Sequence, residues 1–373
     1  MTTIIHATHP AEFLGLVPAL AGFTPRQSLV LLPFQGSRTR GAMRIDLPVD
    51  GADADDFAHA VLQALLQVQN VDATALVAYT DTPAQSVPDG MLLPHLATVE
   101  AVLDVATQAG LRIVEALCVT PDGWSDYLAE DPALHPLDSI PRPDGVPGLG
   151  DVSGDQTAGA DLPPSNLVER ERVGRALREL EHILEQHRLG QGHALGTQNP
   201  LALITAEDVL DDLPAFAEGL LESPSGDDVY GCAALLWCVN RPVLRDAVLV
   251  QWATDLAMGE YALDSQLQFA AGAGGVPDAV GQIFLGKGPR PDADRLGCAL
   301  QVVRSAAARA PRGAKVGALT AAAWLAWALG RSSHAGAYVD QALAIDPEHS
   351  MASLISTMLS SGMLPEWALK PAT

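Results

Sequence analysis

Lysine is nearly missing from this chain. It occurs only at Lys287, Lys315 and Lys370, and Lys and Arg together number 22 against 45 acidic residues. The formal net charge is −23 at pH 7, and the acidic excess is spread over both halves of the chain, not gathered in a tail. A field of that sign repels nucleic-acid phosphates and anionic lipid heads, so neither nucleic acid nor a membrane surface is an expected partner. Long apolar spans are lacking as well. The uncharged, alanine-rich stretch Val316 to Gly330 is too short for a bilayer, which takes about 20 residues, and reads as a buried helix. Met1 to Pro10 has neither the basic start nor the apolar run of a secretory signal. The four cysteines, Cys118, Cys232, Cys238 and Cys298, have no Cys-x-x-Cys spacing and no His in ligand register. No metal centre or cofactor is expected from them; reduced, buried thiols in a cytoplasmic protein are.

A hydrophobic content of 48% with 18% charged residues is that of a folded globular protein, and 373 residues suffice for two domains. Residues 1–140 read as an α/β domain: a mixed sheet with covering helices. Pro10 to Ala21 has helical spacing; Ser28 to Phe34 is a buried strand, and Gly41 to Pro48 returns antiparallel to it after a polar turn. A helix over Asp53 to Gln69, a strand over Ala73 to Thr80 and a helix from about Met91 to Ala109 follow. Leu111 to Thr120 and Trp124 to Tyr127 then form a strand hairpin across Pro121-Asp122-Gly123. Residues 141–166 are rich in Pro and Gly and read as a linker or a mobile loop.

Residues 167–373 read as an all-α domain. Leu167 to Leu189 carries an apolar stripe at Val173, Leu177, Leu180 and Leu184. Helices over Ala206 to Leu221, Asp227 to Val239 and Pro242 to Leu256 come next, then four near 291–310, 315–330, 333–345 and 348–361. One pattern occurs twice there: Ala299, Val303, Ala306, Pro311 and again Ala335, Val339, Ala342, Pro347. A small, a larger and a small apolar residue on one helical face, closed by Pro, resembles the second helix of a tetratricopeptide hairpin. The domain is therefore expected to end in tetratricopeptide-like hairpins from about 291.

Chemistry-bearing residues are sparse. In α/β sheets ligands sit beyond the carboxyl ends of parallel strands. The strand ends offer Arg44, Asp46, Tyr79 and Asp81, with Asp122 and Trp124 after the fourth strand. Carboxylates meeting there would hold a cation and Arg44 would orient an anionic substrate; equally, these groups serve as ion pairs and turn caps. Arg44 and Asp46, two apart, share a strand face. His6 and His9 lack a third ligand, and His9 before Pro10 suits helix entry. Ser28 sits in no nucleophile elbow. Ala271 to Gly275 is a plain glycine-rich loop, and Trp324 and Trp327 are core residues.

Three segments carry a family resemblance: Ala21-Gly-Phe-Thr-Pro-Arg-Gln-Ser-Leu-Val-Leu-Leu32, Arg44-Ile-Asp-Leu-Pro48 and Val77-Ala-Tyr-Thr-Asp81. With Trp324 to Gly330 and Ala342 to Pro347, they resemble an actinobacterial family known as domain of unknown function 4192. The resemblance implies the two-part architecture and a cytoplasmic setting, and transfers no catalytic role. A non-enzymatic binding or scaffolding protein is the leading expectation, with a protein partner or self-association through the helical domain. The alternative is an enzyme acting on a small anionic metabolite at Arg44, Asp46, Tyr79 and Asp81.

Overall fold

A computed structural model describes residues 7, 9–39, 41–49, 51–88, 90–141, 154–189, 199–222, 228–275 and 277–369. The chain divides into two compact units, Met1–Ala158 and Gly159–Thr373. Ile4 and His6 lie outside the described residues, as do residues 142–153 of the Pro/Gly-rich stretch.

The first unit opens with helix α1 (Pro10–Ala21). Pro10 suits its first turn, and Gly22, with φ 82°, closes it in the left-handed conformation that glycine adopts without strain. Strand β1 (Ser28–Gln35) follows, then β2 (Arg38–Thr39), a short piece inside the expected polar turn, and β3 (Met43–Asp46), within the predicted strand. Both pair antiparallel with β1 on the same side. Helix α2 (Ala54–Leu66) is capped by Asp53, whose side chain accepts from the amides of Asp55 and Asp56. Strand β4 (Ala73–Tyr79) runs antiparallel to β1 on its other side.

The predicted helix start at Met91 is wrong. Met91 belongs to a small hairpin, β5 (Gln85–Val87) with β6 (Gly90–Leu92), which pairs only with itself. Pro94 keeps the residue before it out of helical geometry, so α3 begins at Leu96 and runs to Gln108. It carries the chain across to β7 (Arg112–Thr120), parallel to β4, and β8 (Gly123–Asp126) returns antiparallel.

Strand alternation sorts the core into two layers. Val30, Leu32, Phe34, Ala75 and Val77 face α1, meeting Phe13, Leu14 and Val17. Leu29, Leu31, Leu76 and Ala78 face α2 and α3, meeting Val61, Leu65, Val99 and Val102. Because β1 and β4 are covered on both faces, their sequences are near-continuous apolar runs. Each fully buried aliphatic side chain contributes about 1.5–3 kcal/mol by leaving water.

Among its described residues the second unit consists of helices and connecting loops, with no strand. Helix α4 (Leu167–Arg188) buries Val173, Leu177, Leu180 and Leu184, the predicted stripe. The single helix expected over Ala206 to Leu221 is two, α5 (Pro200–Asp211) and α6 (Leu213–Glu222). Asp212 breaks it, with φ −151° and a side chain that accepts from the Ala215 amide. Next come α7 (Val229–Val239) and α8 (Pro242–Ala253); α8 ends short of Leu256 because Asp255 caps a helix of its own, α9 (Leu256–Ala270). Residues 271–275 are the expected loop. The chain then forms α10 (Asp278–Phe284), α11 (Ala293–Arg309), α12 (Lys315–Ala328), α13 (Ser332–Leu343), α14 (Ser350–Ser360) and a last turn, α15 (Glu366–Leu369).

The two copies of the Ala-Val-Ala pattern lie on α11 and α13, both of which pack on α12. All six residues are buried. Helix α12 is buried along its whole length from Val316 to Ala328. Its many alanines allow neighbouring helices to approach closely, and its two tryptophans find carbonyl acceptors: Trp324 Nε1 donates to Phe284 and Trp327 Nε1 to Met363. A helix enclosed on all sides presents no open groove.

Candidate functional site

Register explains where the predicted residues lie. Ser28, the first residue of β1, stands opposite Asp46 on one neighbour and Tyr79 on the other, while Val30 stands opposite Arg44. Since Val30 and Tyr79 face α1, alternation puts Ser28, Arg44 and Asp46 on that face too. Arg44 Nε donates to Ser28 Oγ at 2.7 Å, and Ser28 Oγ donates to the Arg26 carbonyl at 2.6 Å. The Arg44 guanidinium also pairs with the exposed Asp46 carboxylate. Asp81 lies beyond the end of β4. It pairs with Arg26 at 3.2 Å and its amide donates to Gln27 Oε1. Tyr79 is buried, and burial pushes its phenol well above the ordinary range.

Arg44, Asp46 and Tyr79 are thus brought together on one face, and Asp81 joins a neighbouring pair. Each charge among them has an opposite charge beside it. Arg26, Gln27 and Ser28, which organise the cluster, were not singled out from the sequence as site residues. Their signal was their place just ahead of the apolar run of β1. Asp122 is exposed in its turn, and Trp124 is a core residue that stacks on His135 at 4.4 Å and donates to Ser139 Oγ.

A recess of about 320 Å³ opens where the chain leaves β4. Thr82 and Pro83 after the strand form one wall, Gln85 and Leu92 of the β5–β6 hairpin a second, and the segment from Leu93 to Thr98, entering α3, a third. Local hydrogen bonds hold these walls. Thr80 Oγ1 accepts from the Thr82 amide at 3.1 Å and lies 3.3 Å from His95 Nε2. Tyr127 donates to the Pro94 carbonyl at 2.6 Å, and the phenol, buried, titrates far above its usual range. His95 itself has φ 57°, a left-handed backbone uncommon outside glycine. The recess therefore lies at the carboxyl end of a parallel strand, next to the start of the crossover helix, where α/β sheets bind ligands. Its residues fell within what the sequence presents as a Pro-containing loop and the first turn of a helix.

Elsewhere, His9 stands at the entry of α1 and makes no side-chain cap bond there. The four thiols are free; three are buried and Cys298 is partly buried. Burial raises all four thiol pKa values, Cys238 to about 12. Among the described residues no group of three or more His, Cys, Asp or Glu is placed to hold a metal ion, and no helix is long and apolar enough to cross a membrane.

A family model described as "Domain of unknown function (DUF4192)" matches residues 10–263 and 283–366. No curated protein and no solved structure matches the chain.

Proposed function

The chain belongs to the DUF4192 family, and we propose that it is a non-enzymatic binding protein whose ligand seat is the recess between the end of β4, the β5–β6 hairpin and the start of α3. The observation that carries this reading is the position of the recess, at the carboxyl end of a parallel strand, with apolar walls and a few convergent polar side chains. That combination is the usual make-up of a small-molecule site, and its volume falls at the low end of the ~300–1,000 Å³ typical of such sites. The catalytic alternative, an enzyme using Arg44, Asp46, Tyr79 and Asp81 on an anionic metabolite, has less support. Arg44 and Asp81 are already neutralised by Asp46 and Arg26.

Docking of a protein partner, or of a second copy, on the helical unit is the second reading. It draws on Leu201 and Ile204, three apart on α5, which are 60% and 54% exposed. The tetratricopeptide-like hairpin α12–α13 would then serve as a packing element, because α12 is enclosed. A cytoplasmic location and an actinobacterial source belong to the same proposal. The four unpaired thiols support the first, and the scarcity of Lys relative to Arg supports the second.

The test is native mass spectrometry of the full chain and of Ala97→Trp, which places a bulky ring at the recess wall, after exposure to a mixed small-molecule library. The wild type is expected to retain compounds that the variant does not. Equal retention by both would remove the recess as the ligand seat.

A further inference from the structure

The walls of the recess also bear on what fits it. Among its described lining residues none is Asp, Glu, Lys or Arg; the polar side chains there are Thr82, Gln85, His95 and Thr98. Asp81, next in sequence, is engaged with Arg26. A charged group taken out of water needs an opposite charge to receive it, and among these described walls only the His95 imidazole can take up a proton. The negative field of the whole chain further opposes the entry of anions. The remaining walls are prolines, leucines and Ala97. Leu93 is only 2% exposed, whereas Leu92, at the mouth on the free-standing hairpin, is 44% exposed. Covering that leucine is a driving force available to an apolar occupant.

We infer that the recess takes an uncharged, predominantly apolar small molecule bearing a hydrogen-bonding group or two, and that Leu92 of the β5–β6 hairpin closes against it. This rests on the recess being the ligand seat, and names the class of ligand that the seat selects. It departs from the anionic metabolite expected from the strand-end residues, because those charges lie outside the recess walls.

The experiment compares two fluorescent probes that share a ring system and differ by one sulfonate: neutral N-phenyl-1-naphthylamine and anionic 8-anilinonaphthalene-1-sulfonate. Both are titrated into the full chain, Leu92→Asp and Ala97→Trp, with thermal melts recorded alongside. The neutral probe is expected to bind at least tenfold more tightly than the sulfonate. Leu92→Asp, at an exposed position, should weaken it at least tenfold without lowering the melting temperature, and Ala97→Trp should remove binding. If the sulfonate binds as tightly or more tightly, and Ala97→Trp abolishes it, the seat is real and the inferred ligand class is wrong. If neither probe binds, or both bind the Ala97→Trp chain as they bind the wild type, the recess itself is not the seat.

Discussion

Arg295 on α11 grips Glu218 on α6 with both arms of its guanidinium, Nη2 lying 2.7 Å from Oε2. Gln251 of α8 completes the junction. Its Nε2 donates to Glu218 Oε2 and to the Pro214 carbonyl, while its own carbonyl accepts from Arg295. One partly buried carboxylate therefore ties three helices of the second unit together.

Removing the guanidinium leaves Glu218 and Gln251 short of partners in a partly desolvated place. Arg295→Ala is expected to cost about 1–3 kcal/mol in urea unfolding. The Arg295 hydrogen bonds hold the Glu218 carboxyl below its ordinary pKa. A depressed carboxylate adds stability that is complete above its unfolded pKa, near 4.5, and lost as pH falls through the folded value. Glu218→Gln should accordingly be less stable than wild type at pH 7 and show a shallower decline on the acid side. An unchanged acid limb in that variant would contradict the assignment.

His349 offers a second pH test. Its Nδ1 accepts from the Ala352 amide at the start of α14, so this nitrogen must be unprotonated. Burial, and then Arg245 of α8, lower its pKa, against the opposing pull of Asp346. For a depressed histidine the folded state disfavours the proton, so stability falls as pH drops below the unfolded value near 6.5 and levels off below the folded one. His349→Asn keeps a capping acceptor without titrating. Between pH 7 and 5 the variant should lose less stability than the wild type, read from denaturation midpoints.

Gly317 on α12 packs against the end of α7. A Cβ there would stand 2.5 Å from the Val239 carbonyl oxygen, and the Gly317 amide donates to Asn240 Oδ1. Backbone cannot rotate away as a flexible side chain can. Gly317→Ala should destabilise the helical unit by about 1–3 kcal/mol despite alanine's better helix propensity. A neutral or stabilising result would mean the two helices can separate at low cost.

Thiol chemistry checks the packing directly. Cys118, Cys232 and Cys238 are buried, with pKa values raised to about 11, 11 and 12. At pH 8 they are almost wholly protonated, and the thiolate is the reactive form. Iodoacetamide on the native protein should modify Cys298 first and slowly, with all four labelled only on unfolding. Peptide mass mapping reads the order, and early labelling of Cys238 would contradict the enclosed core around α7.

Much of the fold was legible because local rules and burial agreed. The apolar runs of β1 and β4, the stripe on α4 and the paired pattern on α11 and α13 each follow from a period that the chain must bury. Boundaries failed where one residue overrode a period: Asp212 splitting a helix, Pro94 delaying one, Asp255 starting one. The strand-end residues were legible as a group, since Arg44, Asp46 and Tyr79 share a face through Ser28. Their pairing was not, because Arg26 and Asp81 are distant in sequence and meet only when β1 lies beside β4.

By itself, then, the sequence determined the layers: a two-sided sheet, because β1 and β4 carry near-continuous apolar runs, and a helical second unit, because its apolar residues recur at helical spacing. It also determined the sign of the surface charge. The uncharged stretch Val316 to Gly330 already marks α12 for burial; tertiary structure alone decided which helices would enclose it and where a recess would open. Those outcomes depend on how elements remote in sequence approach one another, as when α7, α11 and α13 close around the alanines of α12. In the first unit, the turn after β4, a hairpin and the start of α3 leave a space that no single segment encodes.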